Sequence, residues 1–587
     1  MRRFGPLLTE NGAVFRLWAP TAASVELVRP DAPALPMQPR GAGFFECFVP
    51  GTRPGQAYMF RTGGLDVPDP ASRAQADDAD GWSLLVAPLP PPRSGAIRPW
   101  HEAILSEVHV GAASPEGSFA GLAARLDHFR DAGFTAIELM PLADFTGARN
   151  WGYDGVLPFA PDARYGRPED LRALIEAAHA RGMGVMIDVV YNHFGPSGNF
   201  LHHYAPDFFA PGEPTPWGPA IALDNPLVRA FFCENARMWL EDYDADGLRF
   251  DAVHALRTMG ADLFLDEVAA TARAVKPDAW LVLENDANQA RWLERDGAGR
   301  PRRFTAQWDD DRHHAFRVLT TGDSAGYFAD YAHRPIGSVE RALTEGFVYQ
   351  GETSRHRGAP RGEPSAHLPP DAFVAFLQNH DQIGNRPLGD RIVEALAPEK
   401  RALQRFALML SPHVPMAFMG EEAGLDTPFP YFCDFDGALA DAVRHGRREE
   451  FAAFFDSHPG SPDALPDPLA PETFEAAKLP WRRLAEPAPR RALDDFRGLA
   501  ELRRRLVWPL AAGAFRGAGA QRNGAALLVS WRFADGALTM ALNLGDEAGS
   551  IGGPGRAPDA AAGEVRIDGA ATRLGPWAAA LWSEPVR

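Results

Sequence analysis

Four short segments gather the side chains that could do chemistry: DVVYNH at 188–193, GLRFDAVH at 247–254, LVLEND at 281–286 and LQNHDQIGN at 377–385. Each joins an apolar run of strand length to acid, amide, imidazole or guanidinium groups. In the second, a period of two puts Arg249 and Asp251 on the same side of a strand. A carboxylate beside a permanent guanidinium charge is favoured in its ionised form, which suits a nucleophile. In the third, Glu284 follows Val282 and Leu283, and an apolar strand beneath a carboxyl raises its pKa so that it can donate a proton. One ionised and one protonated carboxyl are the equipment for glycoside cleavage. Strand-end acids also cap helices or pair with arginine. Four strands that deliver them to one rim, with Asn192-His193 and His380-Asp381 alongside, make a pattern that packing alone does not require.

Such side chains need a scaffold that brings the ends of separate strands together. Apolar runs at 103–109, 134–140, 184–190, 247–251, 280–284, 304–308, 373–378 and 414–419 alternate with helix-compatible sequence. This alternation predicts an α/β fold, a (β/α)8 TIM barrel, with function at the C-terminal ends of its strands. A doubly wound sheet would also alternate, so the count alone does not choose between them. Upstream, β-prone runs at 14–18, 24–28 and 44–49 are separated by turns at Asn11-Gly12 and Pro50-Gly51 and predict a small β-sandwich. The Pro-rich stretch 88–99 marks its end. Downstream, runs at 526–531, 538–542 and 577–582, with the turn Ala534-Asp535-Gly536, predict a C-terminal β-domain. The expected organisation is an immunoglobulin-like, carbohydrate-binding-like sandwich at 1–93, a catalytic barrel with insertions at 94–507, and a β-domain at 508–587.

The 587 residues carry 77 acidic against 59 basic side chains, a net charge of −18. That balance excludes a nucleic-acid partner and docking on anionic lipid, both of which need a basic footprint. The lysines are Lys276, Lys400 and Lys478, and no Gly-Lys-Ser or Gly-Lys-Thr occurs, so a Walker-type phosphate loop is excluded. Cys47, Cys233 and Cys433 are odd in number and far apart, and read as core thiols in a reducing compartment. The opening residues lack the apolar run of a signal peptide, and no stretch approaches ~18 consecutive apolar residues. The expectation is a cytoplasmic protein with no membrane partner.

Two motifs are decoys. Gly322-Asp323-Ser324-Ala325-Gly326 has the spacing of a nucleophile elbow, but it follows a polar, His-rich stretch instead of a hydrophobic strand. The pairs His202-His203 and His313-His314 face different ways on a helix or strand and lack metal-ligand spacing. No metal and no cofactor are expected.

The four chemical segments resemble, in order, the signature regions of the α-amylase superfamily of retaining glycoside hydrolases. The resemblance implies that Asp251 is the nucleophile, Glu284 the general acid/base and Asp381 the third carboxylate, which stabilises the transition state. It implies that Asp188, Asn192, His193, Arg249 and His380 orient the sugar or brace the nucleophile. Tyr153, within NWGYDG at 150–155, would be the aromatic platform under that sugar.

Longer segments, at 188–209, 215–225, 306–323 and 418–451, are similar to the malto-oligosyltrehalose trehalohydrolases within that superfamily. In that family the segments 249–254, 309–314 and 380–385 would line the substrate groove. They bring in His254, Asp309, Asp310, His313, His314, Gln382 and Asn385. The reaction implied is cleavage of the α-1,4 bond next to the terminal trehalose unit of malto-oligosyltrehalose. Malto-oligosyltrehalose synthase is then the pathway partner. The run Glu284-Asn285-Asp286-Ala287-Asn288 departs from the family's Glu-Ser-Asp-Leu-Asn-like pattern. The alternatives are a transglycosylase such as an α-glucan branching enzyme, which uses the same intermediate, and a non-catalytic carbohydrate-binding protein. The second would be expected to lack one of the three carboxylates, and all three are present.

Overall fold

A computed structural model describes residues 3–91, 98–215, 218–457 and 464–586. The N-terminal part is two antiparallel sheets. One orders the strands Leu7–Thr9, Gly12–Trp18, Phe44–Pro50 and Gln38–Gly41. The other orders Ala32–Pro36, Val25–Arg29, Ala57–Thr62 and Leu65–Val67, with Ser83–Leu84 against the third. Alternation buries Ala13, Phe15 and Leu17 of one strand between the sheets, where Phe15 meets Tyr58 of the opposite sheet at 4.8 Å between ring centroids. The expected division at 93/94, inside the Pro-rich stretch, lies outside the described residues.

Eight parallel strands follow and close into a barrel: β1 Leu105–Val108, β2 Ala136–Leu139, β3 Gly184–Val189, β4 Gly247–Phe250, β5 Trp280–Leu283, β6 Ala306–Trp308, β7 Phe373–Phe376 and β8 Val414–Phe418. Each lies inside one of the eight apolar runs, and β8 pairs with β1 to complete the ring, which settles barrel against open sheet. The strands are buried on both faces, as parallel strands under a helical shell must be. Leu105, Ala136, Met186, Val282, Trp308, Val374 and Met416 fill the interior. Ile137, Val185, Leu248 and Leu281, one residue out of phase, join the larger core around the barrel.

The floor is plugged by Trp280 against Trp100, with ring centroids 5.3 Å apart. Gly184 and Gly247 make room for it. A Cβ on Gly184 would stand 2.9 Å from the Trp280 ring, and one on Gly247 2.3 Å from its carbonyl oxygen. The two indoles thus close the lower end of the barrel interior.

The C-terminal β-structure begins at Phe515, after the short helix Trp508–Ala511. It comprises a five-stranded and a three-stranded sheet, both antiparallel. Ala534 and Asp535 form the predicted hairpin turn, between Phe533 and Gly536. Both flanking units dock on barrel helices. Phe4 packs edge-on against Phe231 of the helix Pro226–Glu241, while Trp531 Nε1 donates to the Leu343 carbonyl of the helix Pro335–Glu345 at 2.8 Å. Among the described residues no helix is long and apolar enough to cross a membrane.

Candidate active site

Asp251 and Glu284 lie one residue beyond β4 and β5, where the barrel ladder continues into the rim. The Asp251 N–H donates to the Val189 carbonyl, and the Glu284 N–H to the Phe250 carbonyl, each at 3.0 Å. Ala252, between strand and rim, takes a left-handed backbone (φ 40°) that a residue with a Cβ seldom adopts. That turn aims its N–H at Glu284 Oε2, 2.9 Å away. The strain thus completes the hydrogen bonding of a carboxyl group.

One guanidinium organises the centre. Arg249, 1% exposed, lies over the Trp308 ring at 4.1 Å. Its Nη1 donates to Asp251 Oδ1 at 2.8 Å and to Asp188 Oδ2 at 2.7 Å, and its Nη2 to Glu284 Oε2 at 2.8 Å. Asn192 Nδ2 adds a bond to Asp251 Oδ2 at 2.7 Å. The same guanidinium leaves the two rim carboxyls in different protonation states. Burial pushes Asp251 up, but Arg249, His193 and the Asn192 bond outweigh it and hold the group below its usual range. At Glu284 burial prevails over Arg249, and the nearby Asp251 and Asp381 add to it, so the carboxyl is pushed up to about 8. At neutral pH one is a carboxylate and the other an acid.

Asp381 is the second residue of the rim helix α1, His380–Gly384, whose N-terminus is capped by the Asn379 side chain. It is exposed to the groove and accepts from Asn385 Nδ2 at 2.6 Å. Gln382, on the same turn, donates to Asp310 Oδ1 at 3.2 Å. Burial, reinforced by Glu284 and Asp381, pushes Asp310 well above the carboxylate range. Tyr153 comes from the loop between the paired segments Ala143–Asp144 and Leu157–Pro161. Its hydroxyl donates to Asp188 Oδ2 at 2.7 Å, and its ring stacks on His380 at 4.9 Å. His193 Nε2 bonds the Tyr153 carbonyl at 2.9 Å. Burial raises Asp188 to about 6 against the pull of Arg249. His254 lies exposed on the wall, its Nδ1 accepting the Asp286 N–H at 3.3 Å. His314 is ringed by Tyr327, Phe328 and Tyr331.

Two expected groove residues lie beneath the rim. Asp309, fully buried, caps the helix Asp310–Thr321 by accepting the Arg312 N–H at 3.2 Å. His313 faces back toward β7, with Nδ1 2.5 Å from the Leu377 carbonyl. The helical turn that starts at Asp310 sends successive side chains to different sides, so the segment 309–314 divides between groove and core. Ser324 of the decoy motif stands on an exposed connection after the C-cap Gly322. His202 stacks on Phe209 at 4.0 Å.

The sequence reading missed Glu107 and placed Asp311 in the groove with the rest of 309–314. Glu107, an acid inside the apolar run of β1, holds His380 and was visible as a charge in a buried strand. Asp311 is buried and accepts from Arg361, Tyr331, Asn288 and the N–H groups of Val348 and Tyr349. This network anchors the wall that carries Asp286, which Arg361 Nη2 meets at 3.0 Å. Among the described residues no group of three His, Cys, Asp or Glu is placed to hold a metal ion.

Comparisons with known proteins agree with this geometry. Residues 72–209 match the α-amylase catalytic domain, 3–79 the carbohydrate-binding module 48 of isoamylase N-termini, and 514–581 a domain of unknown function, DUF3459. The chain is 38% identical to a malto-oligosyltrehalose trehalohydrolase of Deinococcus radiodurans, over 85% of this chain and 82% of that one. It is 35% identical to the protein of that name from Saccharolobus solfataricus, over 82% and 84%. A crystal structure described as a putative α-amylase from Salmonella typhimurium superposes with a TM-score of 0.92, at 39% identity and 99% coverage of both chains.

Proposed function

The chain belongs to the malto-oligosyltrehalose trehalohydrolase family, and from that premise we propose that it hydrolyses the α-1,4-glucosidic bond next to the terminal trehalose unit of malto-oligosyltrehalose. The products are trehalose and a shorter malto-oligosaccharide. In the first step Asp251 attacks the anomeric carbon while Glu284 protonates the leaving oxygen, and a glycosyl–enzyme ester forms. In the second step Glu284 takes a proton from water, which displaces Asp251 with net retention. Asp381 hydrogen-bonds ring hydroxyls as the oxocarbenium-like state develops. Tyr153, stacked with His380, is the apolar surface beneath the sugar.

The observation that carries this reading is the shared guanidinium. Arg249 binds the ionised Asp251 and the protonated Glu284 at 2.8 Å each, so the two carboxyls sit close together on one cation. A retaining displacement needs the two carboxyls ~5–5.5 Å apart, against ~6.5–9.5 Å where an inverting water must fit between them. The reading also carries a cytoplasmic location and a synthase that supplies the substrate. The unpaired Cys47, Cys233 and Cys433 are in keeping with a reducing compartment.

Incubation of the purified protein with maltotriosyl-trehalose tests the proposal. Trehalose and maltotriose should appear in equal amounts, and D251A should release neither. Absence of trehalose, or equal release by D251A, would overturn it.

A further inference from the structure

Beneath the reacting pair the barrel interior carries an acid that the mechanism does not use. On β2, Ala136 faces the interior while Ile137 and Leu139 face the surrounding core, so period-two alternation turns Glu138 inward. Glu138 pairs in register with Glu107 of β1 on one side and Met186 of β3 on the other. It is 1% exposed, and neither of its carboxyl oxygens meets a hydrogen-bond donor.

Three charged groups face it: Glu107 from β1, Asp188 from β3 and Arg249 from β4. Two of them are acids. The cation, Arg249, has both terminal nitrogens on Asp188, Asp251 and Glu284, and its buried Nε, without a partner, makes no bond to Glu138. A carboxylate with two bare oxygens beside two further carboxylates is strongly disfavoured, whereas the protonated form has one O–H to give and little charge to solvate. Burial, then Glu107 and Asp188, push the group well above the carboxylate range.

The available acceptors differ. Both oxygens of Glu107 are taken by His380, through its backbone N–H and its Nδ1. Asp188 uses Oδ2 for the Tyr153 hydroxyl and Arg249 Nη1, while its buried Oδ1 has no partner. We propose that Glu138 is a positioning residue that remains a carboxylic acid and donates its O–H, directly or through one water molecule, to Oδ1 of Asp188. That bond fixes the plane of the Asp188 carboxylate from below. Asp188 in turn holds the Tyr153 hydroxyl and one arm of Arg249, so Glu138 orients the sugar platform and the guanidinium without touching substrate. Its neutrality matters as much as its bond, because an ionised Glu138 would draw Arg249 downward, away from Asp251 and Glu284.

Two measurements test this, and the first does not depend on the proposed reaction. Infrared difference spectra of wild type minus E138Q at neutral pH should show the carbonyl stretch of one protonated carboxylic acid, with the other buried acids cancelling. A carboxylate band in its place would overturn the proposal. The second rests on the proposed hydrolysis and follows kcat/KM against pH. E138L, which packs but cannot donate, should lose about 10-fold or more, the scale of a small misplacement at a reacting centre. E138Q, whose amide can donate, should recover most of that loss. Equal activity of E138L and wild type would overturn it, as would equal losses in E138L and E138Q. If no variant and no wild type turns over maltotriosyl-trehalose, the hydrolase reading fails and the infrared result alone decides on Glu138.

Discussion

Glu107 grips His380 from two directions: Oε2 accepts the backbone N–H at 2.9 Å, and Oε1 pairs with ring Nδ1. The two residues stand 273 positions apart and join the first strand of the barrel to the helix that follows the seventh. The helix that carries Asp381 is therefore anchored inside the barrel and does not ride on its own loop. Burial pushes the His380 imidazole down, and the Glu107 charge and hydrogen bond more than offset it, leaving the folded value raised.

That raised value makes stability depend on pH in a stated direction. The contribution of His380 is fully present below its unfolded pKa of about 6.5 and is lost as pH rises through the folded value. E107Q should therefore lower the unfolding free energy by about 1–3 kcal/mol near pH 6, with the deficit narrowing in alkaline buffer. Urea titrations of both proteins at the two pH values give the comparison. A deficit that does not change with pH would contradict the account.

The pH profile of kcat/KM should be a bell. Its acid limb falls first as Asp188 protonates near 6 and then as Asp251 protonates, below the ordinary carboxylate range, and its alkaline limb falls as Glu284 ionises near 8. E284Q should lower the rate by about 10²–10⁴-fold and abolish the alkaline limb. An alkaline limb that survives in E284Q would assign it to another group.

R249K should be worse than a charge-conserving change suggests. An ammonium cannot bridge Asp188, Asp251 and Glu284 with the planar fork that Arg249 uses. R249A leaves Asp188 and Asp251 without their cation and should destabilise by about 3–5 kcal/mol. Thermal unfolding separates this cost from the activity loss, and a stable, inactive R249A would show that Arg249 serves chemistry alone.

D311A should unfold several degrees below wild type, because Arg361 and two backbone N–H groups lose their acceptor in a dry site. The expected loss is about 3–5 kcal/mol. Activity should fall mainly through KM, since the wall carrying Asp286 moves and the reacting pair does not. A kcat effect with unchanged Tm would reverse that assignment.

The eight strands were legible because each is an apolar run buried on both sides, and their rim acids were legible because charge ends such runs abruptly. The opposite shifts of Asp251 and Glu284 were foreshadowed by Arg249 two residues away and by Val282-Leu283 beneath. The division of 309–314 was not legible. Asp309, Asp310 and Asp311 look alike in sequence, and only the start of the helix at Asp310 sends one to a cap, one to the groove and one to the Arg361 network. The partners of Asp311 lie as far as 50 residues away, and that of Glu107 lies 273 away, so neither role is written in local spacing. The inner layer around Glu138 was hidden for the same reason: its meaning comes from β1, β3 and β4 at once.

The guanidinium shared by Asp251 and Glu284 also acts as a timer within the proposed reaction. Before attack, Asp251 claims part of the Arg249 charge and its own charge repels a proton's departure from Glu284. Once the Asp251 oxygen is esterified to sugar, that negative charge is gone. Arg249 then attracts Glu284 more fully, and both changes make its carboxyl more acidic. The same residue is thus reset from proton donor to proton acceptor by the chemistry of its neighbour, at the moment a water must be activated, with no movement of the fold.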